Sequence, residues 1–572
     1  MPLKTCEYNM LNIACVSPNG KPAAVEYNTK QIINGIMRFN EADIIVFPRL
    51  CISSASCGHM YRQPALINAC EKAAHIIAKQ VKNQYVIVGM PIMLDCDSLL
   101  DVAAIMHEGK ILDLVPLENS AYPFDDFLEE TLWQSITVSK KINKLPDGRT
   151  FSVGNSYNKT NIILLPSSKA YIAGDYVNIQ NDMVNLSKDK IVALAQAGKA
   201  ESSTYTVHAG ICVVAKNGNL LGFSKPFADD AYCYVSSNNK AILAKEHEHY
   251  SNPKVPFLTG DRHQQLFDCI EIPAQGLATR MRNTGIKNSV LGLSGGLDSS
   301  MALLIMVRTL KILNLPNSSA HVYMLKGEGT SKRTLTNARE LCSALDINLN
   351  ELSIVEDINN HLSTIKYNKK DVVFENAQAR ERTQILLDIS NKVGGLMVGP
   401  SDMSEIALGF TTFGGDHMSM YGVNAGIPKT LIRLAVEYKA EASDTELKNV
   451  LKNILNTPIS PELMPEQQYT EEILGPYILN DFFLYHHLDE KEPLDILSLA
   501  NTAFCYEYDK KYISTMLNTF YKRFFAAQFK RNCIPDSPKV FKFSLSPMYS
   551  YIAPSDMSSI SWTDALKDVR NL

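Results

Sequence analysis

The stretch SVLGLSGGLDSS, Ser289 to Ser300, decides how the second half of the chain is read. Ser289 to Leu293 is a short apolar run of the kind that forms a buried strand. Ser294 to Ser300 is a loop of small residues, and Met301 to Leu313 has the pattern of a helix. At a strand-to-helix junction, Gly295 and Gly296 let backbone approach a ligand closely. Backbone N–H groups of the loop and of the helix start can then bind phosphate oxygens. Ser294, Ser299 and Ser300 add hydroxyl donors. Asp298 would repel a bare phosphate, but it has a role if it holds a magnesium ion between pyrophosphate oxygens. A serine-capped helix after a glycine turn would give similar letters. The coincidence of strand, loop composition, acidic residue and helix favours the nucleotide cradle.

Outward from this loop the alternation continues. Ala320 to Leu325 reads as a strand and Thr336 to Leu345 as a helix, the signature of a doubly wound parallel sheet. Upstream, Gln264 to Arg282 reads as a helix, and the polar residues 236–262 read as a linker. Residues 1–235 form a separate layered α/β region, with residues 263–572 as the second domain. In the first region, Ile44 to Phe47, Tyr85 to Val88 and Ile162 to Leu165 read as buried strands and Ala65 to Val81 as an amphipathic helix. Asn217-Gly218 reads as a hairpin turn.

The bulk numbers agree with two or more soluble domains. The chain has 572 residues, 45% hydrophobic and 20% charged, with a net charge of −4. That charge offers no general attraction to nucleic acid or anionic membrane. No apolar run reaches the roughly 20 residues that span a bilayer. The twelve cysteines show no CxxC pair, so zinc or redox motifs are not expected. Free thiols in a reducing cytoplasm are the simplest reading.

Further motifs narrow the chemistry. SGGLDSS lacks the lysine of GxxxxGK[ST] and resembles the loop of N-type ATP pyrophosphatases. Phe374 to Arg380 (FENAQAR), Ser404 to Gly409 (SEIALG), Gly422 to Thr430 (GVNAGIPKT), Ser460 to Leu463, Gly475 to Tyr477, Asp481 to Phe483 and Gln528 to Arg531 follow in order. Together they resemble the glutamine-dependent NAD synthetase family along most of residues 260–572. The resemblance implies a C-terminal doubly wound nucleotide-binding domain and an N-terminal nitrilase-like αββα sandwich. It implies ATP and Mg2+, with deamido-NAD and ammonia as reactants, and a homo-oligomer. Gly292, Leu293, Ser294, Gly295, Gly296, Leu297, Asp298 and Ser299 would surround ATP. Asp298 and Glu405 would hold magnesium. Asn376, Glu405, Phe410, Phe413 and Lys530 would lie at deamido-NAD.

The resemblance also implies a Glu-Lys-Cys triad in the N-terminal domain, and the letters depart from it. Where the family has FPEL, this chain has Phe47-Pro48-Arg49-Leu50. Arg49 cannot accept a proton. The lysine position after Val115-Pro116 is Leu117, and the nucleophile segment reads Ile162 to Ser168 without cysteine. Cys212 lies in an expected strand and reads as packing. Because such a triad acts as a unit, glutamine hydrolysis is not expected.

Three segments depart in the synthetase half as well. Pro400 stands where the family's GTGD has threonine, Leu325 to Thr330 replaces MPGFGT, and Met548 to Tyr551 replaces an Arg-Gly-Asp-Trp run. Two readings remain at this point: an NAD synthetase using free ammonia, or a non-catalytic paralogue that binds nucleotide for regulation or assembly.

Overall fold

The computed structural model describes residues 11–94, 98–118, 123–127, 129–154, 160–236, 239–242, 249–460 and 470–567. Cys96 and the motif residues Pro461, Glu462 and Leu463 lie outside these, as do parts of the expected linker. The chain divides into two compact units. The first comprises Met1–Tyr171, Asp175–Ser202 and Val207–Glu246; the second holds Ile172–Gly174, Ser203–Thr206 and His247–Leu572. Two short pieces of the N-terminal half therefore belong to the second unit. Residues 236–262 include the short paired strands Tyr250–Ser251 and Thr259–Gly260.

The first unit is a four-layer αββα sandwich. One sheet runs in the order Ala231–Val235, Ile13–Ser17, Ile44–Val46, Tyr85–Met93, Leu99–His107, Lys110–Pro116, Ile136–Val138, Thr131–Trp133. The other runs Asn219–Phe223, Cys212–Lys216, Ile191–Gln196, Ile162–Ser167, Thr150–Val153, Asn143–Lys144. The two-residue period of a strand explains the layering. Ala14, Val16, Ile45, Val86 and Val88 pack with Ile36, Cys70 and Ile77 of the helices Val25–Arg38 and Pro64–Ala78. Their neighbours Ile13, Cys15, Ile44, Val46 and Ile87 pack with Phe151, Ile162, Leu164, Ala193 and Cys212 of the second sheet. The helix Asp175–Leu186 lies against the outer face of that second sheet. Asn217 and Gly218 both have positive φ, 50° and 75°, which is the backbone of a type I′ hairpin turn.

The second unit is built on a five-stranded parallel sheet in the order Leu349–Ser353, Ala320–Lys326, Asn288–Gly292, Gly395–Gly399, Tyr421–Gly422. Numbered along the chain this is 3-2-1-4-5, so the order reverses between Asn288–Gly292 and Gly395–Gly399. A parallel sheet of this kind binds ligands outside the carboxyl ends of its strands at that reversal. The helices Arg262–Thr284, Leu297–Leu313 and Lys429–Glu441 pack together, and Val372–Val393 packs on Asn288–Gly292 and Gly395–Gly399. The helix after the first strand starts at Leu297 rather than at Met301, because Gly296 in extended conformation acts as its N-cap. Asp298 therefore sits in the first helical turn. The long helix Arg262–Thr284 carries Pro273 in its interior.

Candidate active site

A cavity of about 290 Å³ opens at the strand-order reversal. From the first strand and its loop it is lined by Gly292, Leu293, Ser294, Gly296, Leu297, Asp298 and Ser299, and from the other side by Pro400, Ser401, Glu405 and Phe410. The loop is held by its own serines. Ser294 N–H donates to Ser299 Oγ at 3.2 Å and Gly296 N–H to Ser294 Oγ at 3.2 Å. Gly295 does not line the cavity but has φ 80°, and a Cβ there would lie 2.0 Å from the Thr334 carbonyl oxygen. Only glycine fits that approach.

At the mouth of the helix Leu297–Leu313, the Asp298, Asp402 and Glu405 carboxylates place oxygens within 4.8 Å of one another. Asp402 N-caps the helix Met403–Leu408, its Oδ1 accepting from Glu405 N–H at 2.8 Å. Lys429, buried with 2% side-chain exposure, aims its ammonium at all three acids. Nζ lies 2.5 Å from Asp298 Oδ2, 2.7 Å from Asp402 Oδ2 and 2.9 Å from Glu405 Oε1. Burial alone would lower the Lys429 pKa, but the facing carboxylates raise it well above the ordinary range. Burial pushes the Glu405 carboxyl up to about 7, opposed by Lys429 and reinforced by Asp298. Asp402 is raised still more strongly by burial, against the pull of Lys429.

Two side chains brace this cluster. Asp481, on the helix Tyr477–Leu488, accepts from Ser404 Oγ and, at 2.8 Å, from Thr430 N–H. Asn424 Nδ2 donates at 2.9 Å to the carbonyls of both Asp298 and Pro400, tying the two sides of the reversal together. For a divalent cation the donor set fits. All three acids offer hard carboxylate oxygens, the kind of donor magnesium takes. Asp298 Oδ1 is also buried without a hydrogen-bond partner among the described residues.

Asn376, Phe413 and Lys530 do not line the cavity. They gather instead on the adjoining loop Gly409 to His417. Thr412 Oγ1 donates to Asn376 Oδ1 at 2.9 Å, and Lys530 Nζ donates to the carbonyls of Gly409 and Thr411 at 2.8 and 2.5 Å. Phe413 is 46% exposed and stacks near His417 and Phe529. Asp416 joins the two places: it lines the cavity, and its Oδ1 accepts from Thr412 N–H at 2.6 Å. No motif in the sequence singles out Asp402 or Lys429. A lysine in GIPKT gives no sign of burial. The spacing from Asp402 to Glu405, an N-cap followed three residues later by Glu, was the available signal.

The NAD synthase family profile matches residues 270–526. A glutamine-dependent NAD(+) synthetase of Mycobacterium leprae (strain TN) is 32% identical over 65% of this chain and 65% of its own length. One from Mycobacterium bovis is 28% identical over 92% of each chain. The crystal structure of a glutamine-dependent NAD(+) synthetase from Cytophaga hutchinsonii superposes with a TM-score of 0.79 at 18% identity, covering 97% of this chain and 100% of that one. Over residues 270–526 the chain matches the NAD synthase family, and along most of its length it is similar to glutamine-dependent NAD synthetases.

The first unit holds the positions expected for a Glu-Lys-Cys triad. Arg49 pairs through Nε with the buried carboxylate of Asp101. Its other nitrogens donate to the Glu118 carbonyl at 3.1 Å and the Leu117 carbonyl at 3.4 Å. Leu117 is buried, packed in the core between the two sheets. Pro166 lies within the strand Ile162–Ser167. Cys212 is fully buried between the sheets, and desolvation raises its thiol pKa well above the ordinary value. A thiol held neutral in this way is a packing residue rather than a nucleophile. Among the described residues, no helix is long and apolar enough to cross a membrane.

Proposed function

We propose that this NAD synthetase amidates deamido-NAD with ammonia at the expense of ATP, and that its nitrilase-like unit does not hydrolyse glutamine. The observation that carries the first part is the Asp298, Asp402, Glu405 and Lys429 cluster beside the SGGLDSS cradle, at the carboxyl ends of the parallel strands. Loop N–H groups and the helix N-terminus would receive the phosphates. Magnesium, held by Asp298 and Glu405 with Asp402 beside them, would neutralise charge on the departing pyrophosphate. Lys429 supplies a second, fixed positive charge at the same place.

The chemistry is two displacements. A nicotinate carboxylate oxygen attacks the α-phosphorus of ATP, and the bond to pyrophosphate breaks. Ammonia then attacks the acyl carbon of the mixed anhydride, AMP leaves, and the nitrogen loses a proton. Asn376, Phe410, Phe413, Glu405 and Lys530 would position the dinucleotide, with the loop Gly409 to His417 as its floor. In this reading Lys530 acts from where it is anchored on the Gly409 and Thr411 carbonyls.

The second part rests on Arg49 and Asp101. A half-buried cation stands where the family places a general base, and it is paired with the buried carboxylate of Asp101. Ammonia would then come from solution or from another protein. One observation favours the non-catalytic alternative: Pro400, which lines the cavity, has neither the hydroxyl nor the N–H that threonine would offer ATP. Incubation with ATP, magnesium, deamido-NAD and ammonium separates the two. NAD formation supports the ligase, and intact ATP binding without NAD supports the paralogue.

A further inference from the structure

A second cavity, of about 450 Å³, lies between the end of the helix Val355–Thr364 and the start of Val372–Val393. Lys366, Lys369 and Lys370 all line it, with one carboxylate, Glu328, among the lining residues. Lys370 is already engaged: it pairs with Glu328 and sits 5.5 Å over the Phe374 ring. Lys366 and Lys369 have no ion-pair partner within salt-bridge distance among the described residues. The nearby Asp371 accepts from the Tyr367 hydroxyl and from Val373 N–H at 2.9 Å, and attracts Lys369 only at longer range. Asn359 and Ser363 add polar groups to the same wall.

The backbone holds this arrangement against its own preference. Lys366 has φ 55°. Its N–H donates to the Ser363 carbonyl at 3.0 Å, and Tyr367 N–H donates to the Leu362 carbonyl at 2.9 Å. These bonds make a Schellman helix end in which the left-handed residue is usually glycine. A lysine there is less favoured than a glycine would be, and it places its ammonium side chain on the cavity wall.

We propose that this cavity is a polyphosphate-binding site separate from the nucleotide cavity, with Lys366 and Lys369 as phosphate ligands. Lys370 is a third ligand that exchanges Glu328 for the bound anion. The site is wired to the nucleotide cavity through two elements. Glu328 and Thr330 sit on one tight turn, closed by Gly327 N–H donating to Thr330 Oγ1 at 3.0 Å, and Thr330 lines the nucleotide cavity. The helix Val372–Val393 contributes Phe374 to one cavity and Arg382 to the other. Releasing Glu328 from Lys370 therefore loosens a wall of the nucleotide site, and the two ligands alter each other's affinity reciprocally. The inference does not rest on turnover by the synthetase.

The test is hydrogen exchange on the full chain, titrated in separate arms with inorganic pyrophosphate and with ADP. Amides of residues 359–374 report this site, and those of 292–300 report the nucleotide cavity independently. Pyrophosphate is expected to protect 359–374, with an affinity that falls as salt rises. The double change Lys366→Gly with Lys369→Ser should weaken that protection about tenfold, since each exposed charge contributes modestly. Because Lys366→Gly relieves the left-handed strain, the unfolding midpoint should not fall, and Lys369→Ser alone gives a second reading at an exposed position. Stronger protection by ADP than by pyrophosphate would identify the ligand as a nucleotide, and the reverse order as the free anion. No protection of 359–374 by either ligand at millimolar concentration, or equal affinity in wild type and variant, would overturn the proposal.

Discussion

Replacing Lys429 with methionine keeps the length of the side chain and removes the cation that holds three carboxylates together. The ammonium is 2% exposed and sits 2.5–2.9 Å from Asp298, Asp402 and Glu405. Removing one partner of a buried ion pair leaves uncompensated charge and costs roughly 3–5 kcal/mol. Here protonation relieves part of that cost, since burial already raises the Asp402 and Glu405 carboxyls. The lower figure is therefore expected, about 3 kcal/mol, or about 6 °C in the unfolding midpoint at roughly 2 °C per kcal/mol. The assay is thermal unfolding of wild type and Lys429→Met, each with EDTA and with saturating magnesium. Magnesium should recover much of the loss in the variant, because a ligand present at about 100 times its Kd adds roughly 2.7 kcal/mol. The variant's magnesium shift should exceed that of wild type. An unchanged midpoint in EDTA would refute the buried-charge argument, and no magnesium shift in either protein would refute the assignment of the acids as metal ligands.

Other consequences can be checked singly. Asp298→Ala should weaken magnesium-dependent ATP binding in an equilibrium titration, whereas equal affinity with magnesium present would place the metal elsewhere. Pro400→Thr with Ser401→Gly should raise ammonium-dependent NAD formation by about 10- to 150-fold, if a lost hydrogen bond of roughly 1.5–3 kcal/mol is restored in the transition state. That change also removes the Ser401 Oγ bond to the Asp416 carbonyl, 2.9 Å, so Pro400→Thr alone is the necessary control. In the first unit, burial pushes Asp101 up to about 7 against the pull of Arg49. A carboxyl whose folded pKa lies above its unfolded value favours the fold when protonated. Its contribution is full at low pH and is lost as pH rises from about 4 through 7. Arg49→Leu should raise the Asp101 pKa further, so that denaturant stability keeps falling above about pH 7, where the wild-type profile levels off; parallel profiles would contradict the pairing.

Much of this fold was legible because its signals are local. A strand buried on both faces reads as an apolar run, so Ser289 to Leu293 and Ala320 to Leu325 were visible as the strands Asn288–Gly292 and Ala320–Lys326. Asn217-Gly218 named its own hairpin. The strand-to-helix junction was visible because Gly295 and Gly296 interrupt the apolar pattern between strand and helix. What was hidden depends on distant segments meeting. Nothing in GIPKT says that Lys429 is buried, since its partners lie in loops that only the parallel sheet brings together. The helix start was misplaced at Met301 because loop-forming residues continue into the first turn. The backbone angle of Lys366 follows from how the preceding helix ends, which no local letter pattern gives. Arg49 could be read as a lost base, but its carboxylate partner on the strand Leu99–His107 could not.

The most direct test of the account supplies purified protein with ATP, magnesium and deamido-NAD, and compares ammonium with glutamine as the nitrogen source while following NAD and glutamate. The account predicts NAD with ammonium, and with glutamine neither NAD nor glutamate above background. NAD formed from glutamine with matching glutamate release would contradict the inactive nitrilase-like unit, and no NAD at saturating ammonium with ATP binding intact would contradict the ligase itself.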